Sequence, residues 1–173
     1  THVIRGDDHL TNTFRQYQIY AALGWKDPIF SHIPLIHGPD GAKLSKRHGA
    51  LGVESYREAG FLPDAMRNYL LRLGWAHGDD EIISTEQAIE WFDVDSVGKS
   101  PSRFDVAKIT SVNAQYLRVT CSALLAGLIE PTLSTRLGRD LTDKEKARII
   151  TGIGGLKERA KTVVELANCA FFY

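Results

Sequence analysis

Between Thr1 and Ile36 the spacing of apolar positions changes twice. Thr1 to Arg5 is a short run containing Val3 and Ile4; it ends at Gly6 and reads as a buried strand. Leu10, Phe14, Tyr17 and Ala21 then recur at helical spacing, with Asp7 or Asp8 placed to cap the helix and Gly24 to close it. Lys26-Asp27-Pro28 turns the chain into a second strand-like run from Ile29 to Ile36. Strand, helix and strand joined by a crossover of this length predict a parallel α/β unit. Ligands of such sheets collect at the carboxyl ends of the strands, where Arg5-Gly6-Asp7-Asp8 and the segment around Lys43 can converge.

From Leu62 onward the spacing is helical. Leu62-Pro63-Asp64 opens a helix whose expected buried face is Met66, Tyr69, Leu70 and Leu73, and Gly74 ends it. Ser84 to Gln87 and Thr142 to Glu145 have capping-box spacing, the first ahead of Ile89, Trp91 and Phe92, the second ahead of Ile149, Ile150 and Ile153. Asp105 is a further cap candidate, with Phe104 placed to staple against Ile109. Gly152, Gly154 and Gly155 predict a break of the last segment into two helices. The expected fold class is therefore α/β followed by all-α.

Composition narrows the function classes only slightly. Lys+Arg and Asp+Glu both number 21, so the total charge does not mark a nucleic-acid binder. The distribution is uneven. Asp79, Asp80, Glu81, Glu86, Glu90, Asp93 and Asp95 form an acidic stretch with no basic residue among them, whereas Arg136, Arg139, Lys144, Lys146, Arg148, Lys157, Arg159 and Lys161 outnumber the acids between them. That basic run fits an RNA-facing surface and a solvated helix face equally well. Cys121 and Cys169 are far apart and form no C-x-x-C pair, which argues against a disulfide framework and a zinc site and for two small buried hydrophobes in a reducing cytoplasm. Trp25, Trp75 and Trp91 fall in apolar patterns and read as core. No membrane-length apolar segment is present, and a chain opening directly in strand-like sequence at Thr1 reads as a fragment.

The chemistry concentrates in Lys43-Leu44-Ser45-Lys46-Arg47, flanked by Gly38, Gly41 and Gly49. Ammonium groups on a loop that lets the backbone approach closely suit a polyphosphate, whose charge grows as it becomes a leaving group. Ser45 either contacts the nucleotide or shapes the turn. Arg47 offers a planar donor fork to phosphate, or pairs with Asp40 or Glu54. Arg5 ends a buried strand, where it needs an anion: a ligand, or Asp7 or Asp8. A P-loop is excluded because the adjacent Gly-Lys-Ser/Thr is missing, and a dinucleotide fingerprint because Gly6-Asp7-Asp8 lacks its glycine spacing.

The run HGPDGAKLSKRHGA closely resembles the second signature of class I aminoacyl-tRNA synthetases, the loop written KMSKS. With Tyr56 to Pro63, Asn68 to Trp75 and His2 to His9, it is similar to the bacterial glutamyl-tRNA synthetases, more so than to the glutaminyl enzymes. The resemblance is specific from Thr1 to Phe104 and thins beyond, where Thr110-Ser111-Val112 departs from the family pattern. It implies the distal part of a Rossmann-like catalytic domain over residues 1–60, a helical stem-contact region over 61–118 and the start of a helical anticodon-binding region over 119–173.

The implied reaction is ATP-dependent activation of L-glutamate and transfer to the 3′ end of tRNA, with magnesium accompanying ATP. In that reading Lys46 and Lys43 are catalytic, and Asp8, His9, Ile36, Lys43, Ser45 and Lys46 bind ATP. Lys43 serves either ATP or the RNA end, and for Asp8 helix capping remains a rival. Arg5 binds the carboxylate of glutamate; Arg47, Arg136, Arg139, Lys144, Lys146 and Arg148 are candidates for tRNA. A cytoplasmic monomer is expected. No counterpart of the family's HIGH-type first signature is present, so the isolated chain is expected to be inactive. A rival of a different class is a non-catalytic tRNA-binding or assembly module derived from a synthetase.

Overall fold

A computed structural model of the chain describes residues 1–45 and 52–173. Lys46, Arg47 and Gly49 lie outside the described residues. The described residues form two compact units, the first built from residues 1–45 and Leu70–Asp105, the second from residues 52–69 and Val106–Tyr173.

In the first unit, β1 (His2–Gly6) pairs in parallel with β2 (Ile29–Ile33), with His2 opposite Ile29 and Gly6 opposite Ile33. A one-turn 3-10 segment, Asp7–His9, leads from β1 into α1 (Leu10–Leu23), the crossover helix. Gly24 ends α1 in the left-handed conformation at φ 64°. The second strand is shorter than its apolar pattern. Pro34 has no N–H to donate, and β2 stops at Ile33, before β3 (Ile36–His37) starts a separate parallel pairing with β4 (Ser102–Arg103).

The apolar face of α1 is not buried. Leu10, Phe14 and Tyr17 are exposed, Phe14 by 67%. A two-stranded sheet gives a fourteen-residue helix little surface to bury against. Trp25 is likewise 62% exposed and meets Tyr20 edge-on. Trp75 is core, and the His77 ring stacks on both Trp75 and Trp91.

The second unit holds the main core. Here α2 (Val53–Glu58), the first part of α3 (Pro63–Arg72), α5 (Val106–Val119), α6 (Ser122–Leu137), α7 (Asp143–Leu156) and α8 (Val163–Ala170) bury Ala65, Leu117, Leu125, Ile129, Leu133, Ile153 and Leu166. The buried residues of α3 are Ala65, Asn68 and Tyr69, while Leu70 is exposed. The apolar spacing therefore points to the helix correctly but not to all of its inner positions. Asn113 is fully buried: its Oδ1 accepts from the Leu62 N–H at 2.8 Å and its Nδ2 donates to the Lys161 carbonyl at 2.6 Å.

Both capping boxes form, at Ser84–Gln87 ahead of α4 (Thr85–Trp91) and at Thr142–Glu145 ahead of α7. The predicted break at Gly152, Gly154 and Gly155 does not. All three glycines lie inside α7, where Ile149 and Ile153 are buried and the Tyr173 ring occupies the space a Cβ on Gly152 would need. Cys121 is exposed at the start of α6 and Cys169 half-buried, so Cys121 is not the buried hydrophobe its isolation implied. No helix among the described residues is long and apolar enough to cross a membrane.

Candidate functional site

The glycine-rich segment after β3 is a tight, hydrogen-bonded turn. Gly38 N–H donates to the Ala42 carbonyl at 2.8 Å, Gly41 N–H to the Gly38 carbonyl at 3.0 Å, and Ala42 N–H to Asp40 Oδ1 at 2.9 Å. Gly41 sits at φ 78°, a conformation that favours glycine. The chain returns alongside β3: Lys43 bridges to His37 in antiparallel fashion, and Leu44 N–H donates to the Ile36 carbonyl at 2.9 Å. The backbone of Lys43 is thus fixed while its side chain stays exposed.

That side chain reaches the end of β1. Lys43 Nζ donates to Asp8 Oδ2 at 2.6 Å, joining segments 35 residues apart. The hydrogen bond to the Lys43 ammonium holds the Asp8 carboxyl below its ordinary range. Neither the 3-10 segment nor α1 has a side-chain cap, so the capping role expected for Asp7 or Asp8 is not taken up. The two sets expected at the carboxyl ends of the strands do converge, through this ion pair.

Arg5, half-buried, pairs with neither Asp7 nor Asp8. Its Nη2 donates to Thr13 Oγ1 at 2.7 Å and its Nε to His32 Nε2 at 3.3 Å, and its guanidinium lies over the Phe30 ring at 5.4 Å. Thr13 and His32 also contact each other at 2.9 Å. Neither partner is a carboxylate, so the fork is oriented without its charge being balanced. Neither stands out in the sequence. The available signal is the parallel register, which sets His32 opposite Arg5.

His9 is exposed and shares a contact of 3.1 Å with Asn12. Ile36 and Ser45 are both half-buried, Ile36 within β3 and Ser45 just past the Lys43 bridge.

Among the described residues, some of the basic side chains proposed for tRNA are engaged and others have no carboxylate partner. Arg139 makes a forked pair with Glu145 at 2.7 and 3.0 Å, and Lys146 pairs with Glu130 at 2.7 Å. These pairings lower the Glu145 carboxyl and raise Arg139 and Lys146. Arg136 donates to Asn168 and lies over Phe171. Lys144 and Arg148, one turn apart on α7, line an open recess of about 810 Å³ with Thr151, Phe172 and Tyr173.

A family model for "tRNA synthetases class I (E and Q), catalytic domain" matches residues 1–111, well over half of the chain. The chain belongs to this family. Among curated relatives of these class I synthetases, Glutamate--tRNA ligase 2 of Paramagnetospirillum magneticum is 67% identical over 173 residues, covering 100% of this chain and 36% of the relative. Glutamate--tRNA ligase 2 of Rhodospirillum rubrum is 64% identical over the same length, or 37% of its own. The crystal structure of a glutamate tRNA ligase from Elizabethkingia meningosepticum superposes with a TM-score of 0.79 at 32% identity, covering 99% of this chain and 37% of that one. The chain therefore spans little more than a third of these relatives, and its α/β portion is part of a class I synthetase catalytic domain.

Proposed function

We propose that this chain supplies the phosphate-facing and glutamate-anchoring part of a glutamyl-tRNA synthetase. The observation that carries the proposal is the Lys43–Asp8 contact, which brings Lys43, the first residue of the Lys43-Leu44-Ser45-Lys46-Arg47 run, to the strand end that carries Arg5. The reaction is attack of a glutamate carboxylate oxygen on the α-phosphorus of ATP. The bond from that phosphorus to the bridging oxygen breaks and pyrophosphate leaves; a terminal hydroxyl at the 3′ end of tRNA then attacks the glutamyl carbonyl of the adenylate, gives up its proton, and AMP leaves.

Negative charge accumulates on the leaving pyrophosphate, so aimed cations are the main catalytic requirement. Lys46 and Lys43 are assigned that role, with ATP arriving as its magnesium complex. His9, Ile36 and Ser45 border the nucleotide. The Ile36 carbonyl already accepts from Leu44, which favours apolar contact with the adenine. The parent is proposed to be a cytoplasmic monomer.

Arg5 is assigned the carboxylate of glutamate, because its charge is oriented by Thr13 and His32 but not balanced by them. In the full-length protein, Arg5→Lys keeps the charge and loses the fork. It is expected to raise KM for glutamate roughly tenfold or more while leaving KM for ATP within about twofold. Steady-state activation kinetics with each substrate varied in turn would show it. Equal increases in both constants would remove Arg5 from the glutamate site.

Of the candidates for tRNA, Lys144 and Arg148 have no carboxylate partner among the described residues, whereas Arg139 and Lys146 do. Phosphate contacts release counterions, so each lost contact flattens the salt dependence of binding by about one unit of log–log slope. The double substitution Lys144→Ala and Arg148→Ala is expected to weaken tRNA binding and reduce that slope by about two, with Arg139→Ala and Lys146→Ala reducing it less. Titration of labelled tRNA across a salt series measures both. An unchanged slope in the first variant would exclude this face of α7.

A further inference from the structure

The role of Asp8 is not explained by proximity to a polyphosphate, since a carboxylate there repels what the site must attract. Its geometry gives a different account. One carboxylate oxygen holds Lys43 Nζ at 2.6 Å, and the other lies only 2.6 Å from where a Cβ on Gly6 would stand. The absence of a side chain at Gly6 leaves room for the carboxylate in this orientation. Lys43 is anchored by its backbone, through the His37 bridge and the adjoining Leu44 hydrogen bond, so its ammonium can change partner without the strand moving. Both side chains are accessible, Lys43 by 60% and Asp8 by 34%, so the pair is weak and exchangeable.

We propose that Asp8 is a stand-in anion, which occupies the Lys43 ammonium until a phosphate group of ATP displaces it. This rests on the reading of Lys43 as a phosphate ligand, and gives Asp8 a role exerted through Lys43 instead of by contact with the nucleotide. The carboxylate keeps the cation directed at the strand end in the empty site. A polyphosphate, with more charge and more acceptor oxygens, takes it over on binding. The exchange lowers the apparent affinity for ATP by the strength of the contact that must open.

A double-substitution cycle on the full-length protein tests this, reading the dissociation constant for MgATP by calorimetric titration without glutamate, with folding checked by circular dichroism. Asp8→Asn removes the competing charge and is expected to tighten ATP binding about two- to fivefold, the range of an exposed ion pair. Lys43→Ala is expected to weaken it. In the Lys43→Ala background, Asp8→Asn should have no further effect, because no cation remains to be released.

Tightening of equal size in both backgrounds would mean simple repulsion of ATP by Asp8 and would overturn the proposal. So would weaker binding in Asp8→Asn, which is the signature of a direct nucleotide contact. If Lys43→Ala left the affinity unchanged, the assignment of Lys43 to phosphate would fall, and this inference with it. The first two outcomes leave that assignment standing.

Discussion

Replacing Lys46 with alanine in the full-length protein should lower kcat for glutamate activation by roughly 10²–10³ while changing KM for ATP much less. Lys46 lies outside the described residues, so its role is argued from chemistry. The charge on pyrophosphate is greatest as the bond to the α-phosphorus breaks, so a cation aimed there acts more strongly in the transition state than on bound ATP. Lys43, held at the strand end by Asp8, is the cation proposed to remain for the ground state. Losing one well-placed donor of this kind costs about 3–4 kcal/mol of transition-state stabilisation. Lys46→Arg should rescue only partly, because a planar fork replaces a compact, rotatable charge. Steady-state activation kinetics on variants with native circular dichroism give the answer. Near-wild-type kcat in Lys46→Ala would reduce the motif to a basic turn.

The largest expected effect on stability comes from Gly60→Ala. Gly60 lies at φ 83°, and a Cβ there would stand 2.6 Å from the Val164 nitrogen and 2.9 Å from the Val163 nitrogen. Those are backbone atoms at the start of α8, and the Val163 N–H donates to the Gly60 carbonyl at 2.9 Å. Neither partner can move aside without shifting the helix that buries Leu166, Ala167 and Ala170. The substitution therefore combines left-handed strain with a clash, for a loss of roughly 3 kcal/mol or more. Gly138→Ala is the matched control. Gly138 has φ 67° but nothing within 4 Å of the point where a Cβ would stand, so only the conformational part, about 1–2 kcal/mol, should be lost. Denaturant unfolding of the two variants separates strain from clash. Equal destabilisation would contradict the close packing of Gly60 against α8.

The sequence is most legible where structure is decided within a few residues. Capping boxes at Ser84 and Thr142, the left-handed stop at Gly24 and the Pro63 helix start all depend on neighbours in the chain. The parallel α/β unit is legible because a helical crossover leaves few other topologies. Features settled by packing are less readable. Three glycines weaken α7 intrinsically, yet buried Ile149 and Ile153 on the same helix keep it continuous. The apolar spacing of α1 is real, but what would cover Phe14 cannot be read from spacing alone.

The candidate site divides in the same way. Lys43, Asp8 and Arg5 can be named because their charge needs an explanation wherever they sit. Thr13 and His32, which orient Arg5, are ordinary residues until the β1–β2 register sets His32 beside it and α1 brings Thr13 to it. The engagement of Lys146 with Glu130 likewise depends on how α6 meets α7, a relation that charge counting cannot supply.

Glutamate-dependent exchange of pyrophosphate into ATP by the full-length protein, with tRNA present, is the most direct test of the central claim. Exchange supported by glutamate, absent with glutamine, and reduced about a hundredfold or more by Lys46→Ala is the result expected of a glutamyl-activating site. A pure, folded full-length protein that binds tRNA but shows no glutamate-dependent exchange would contradict it.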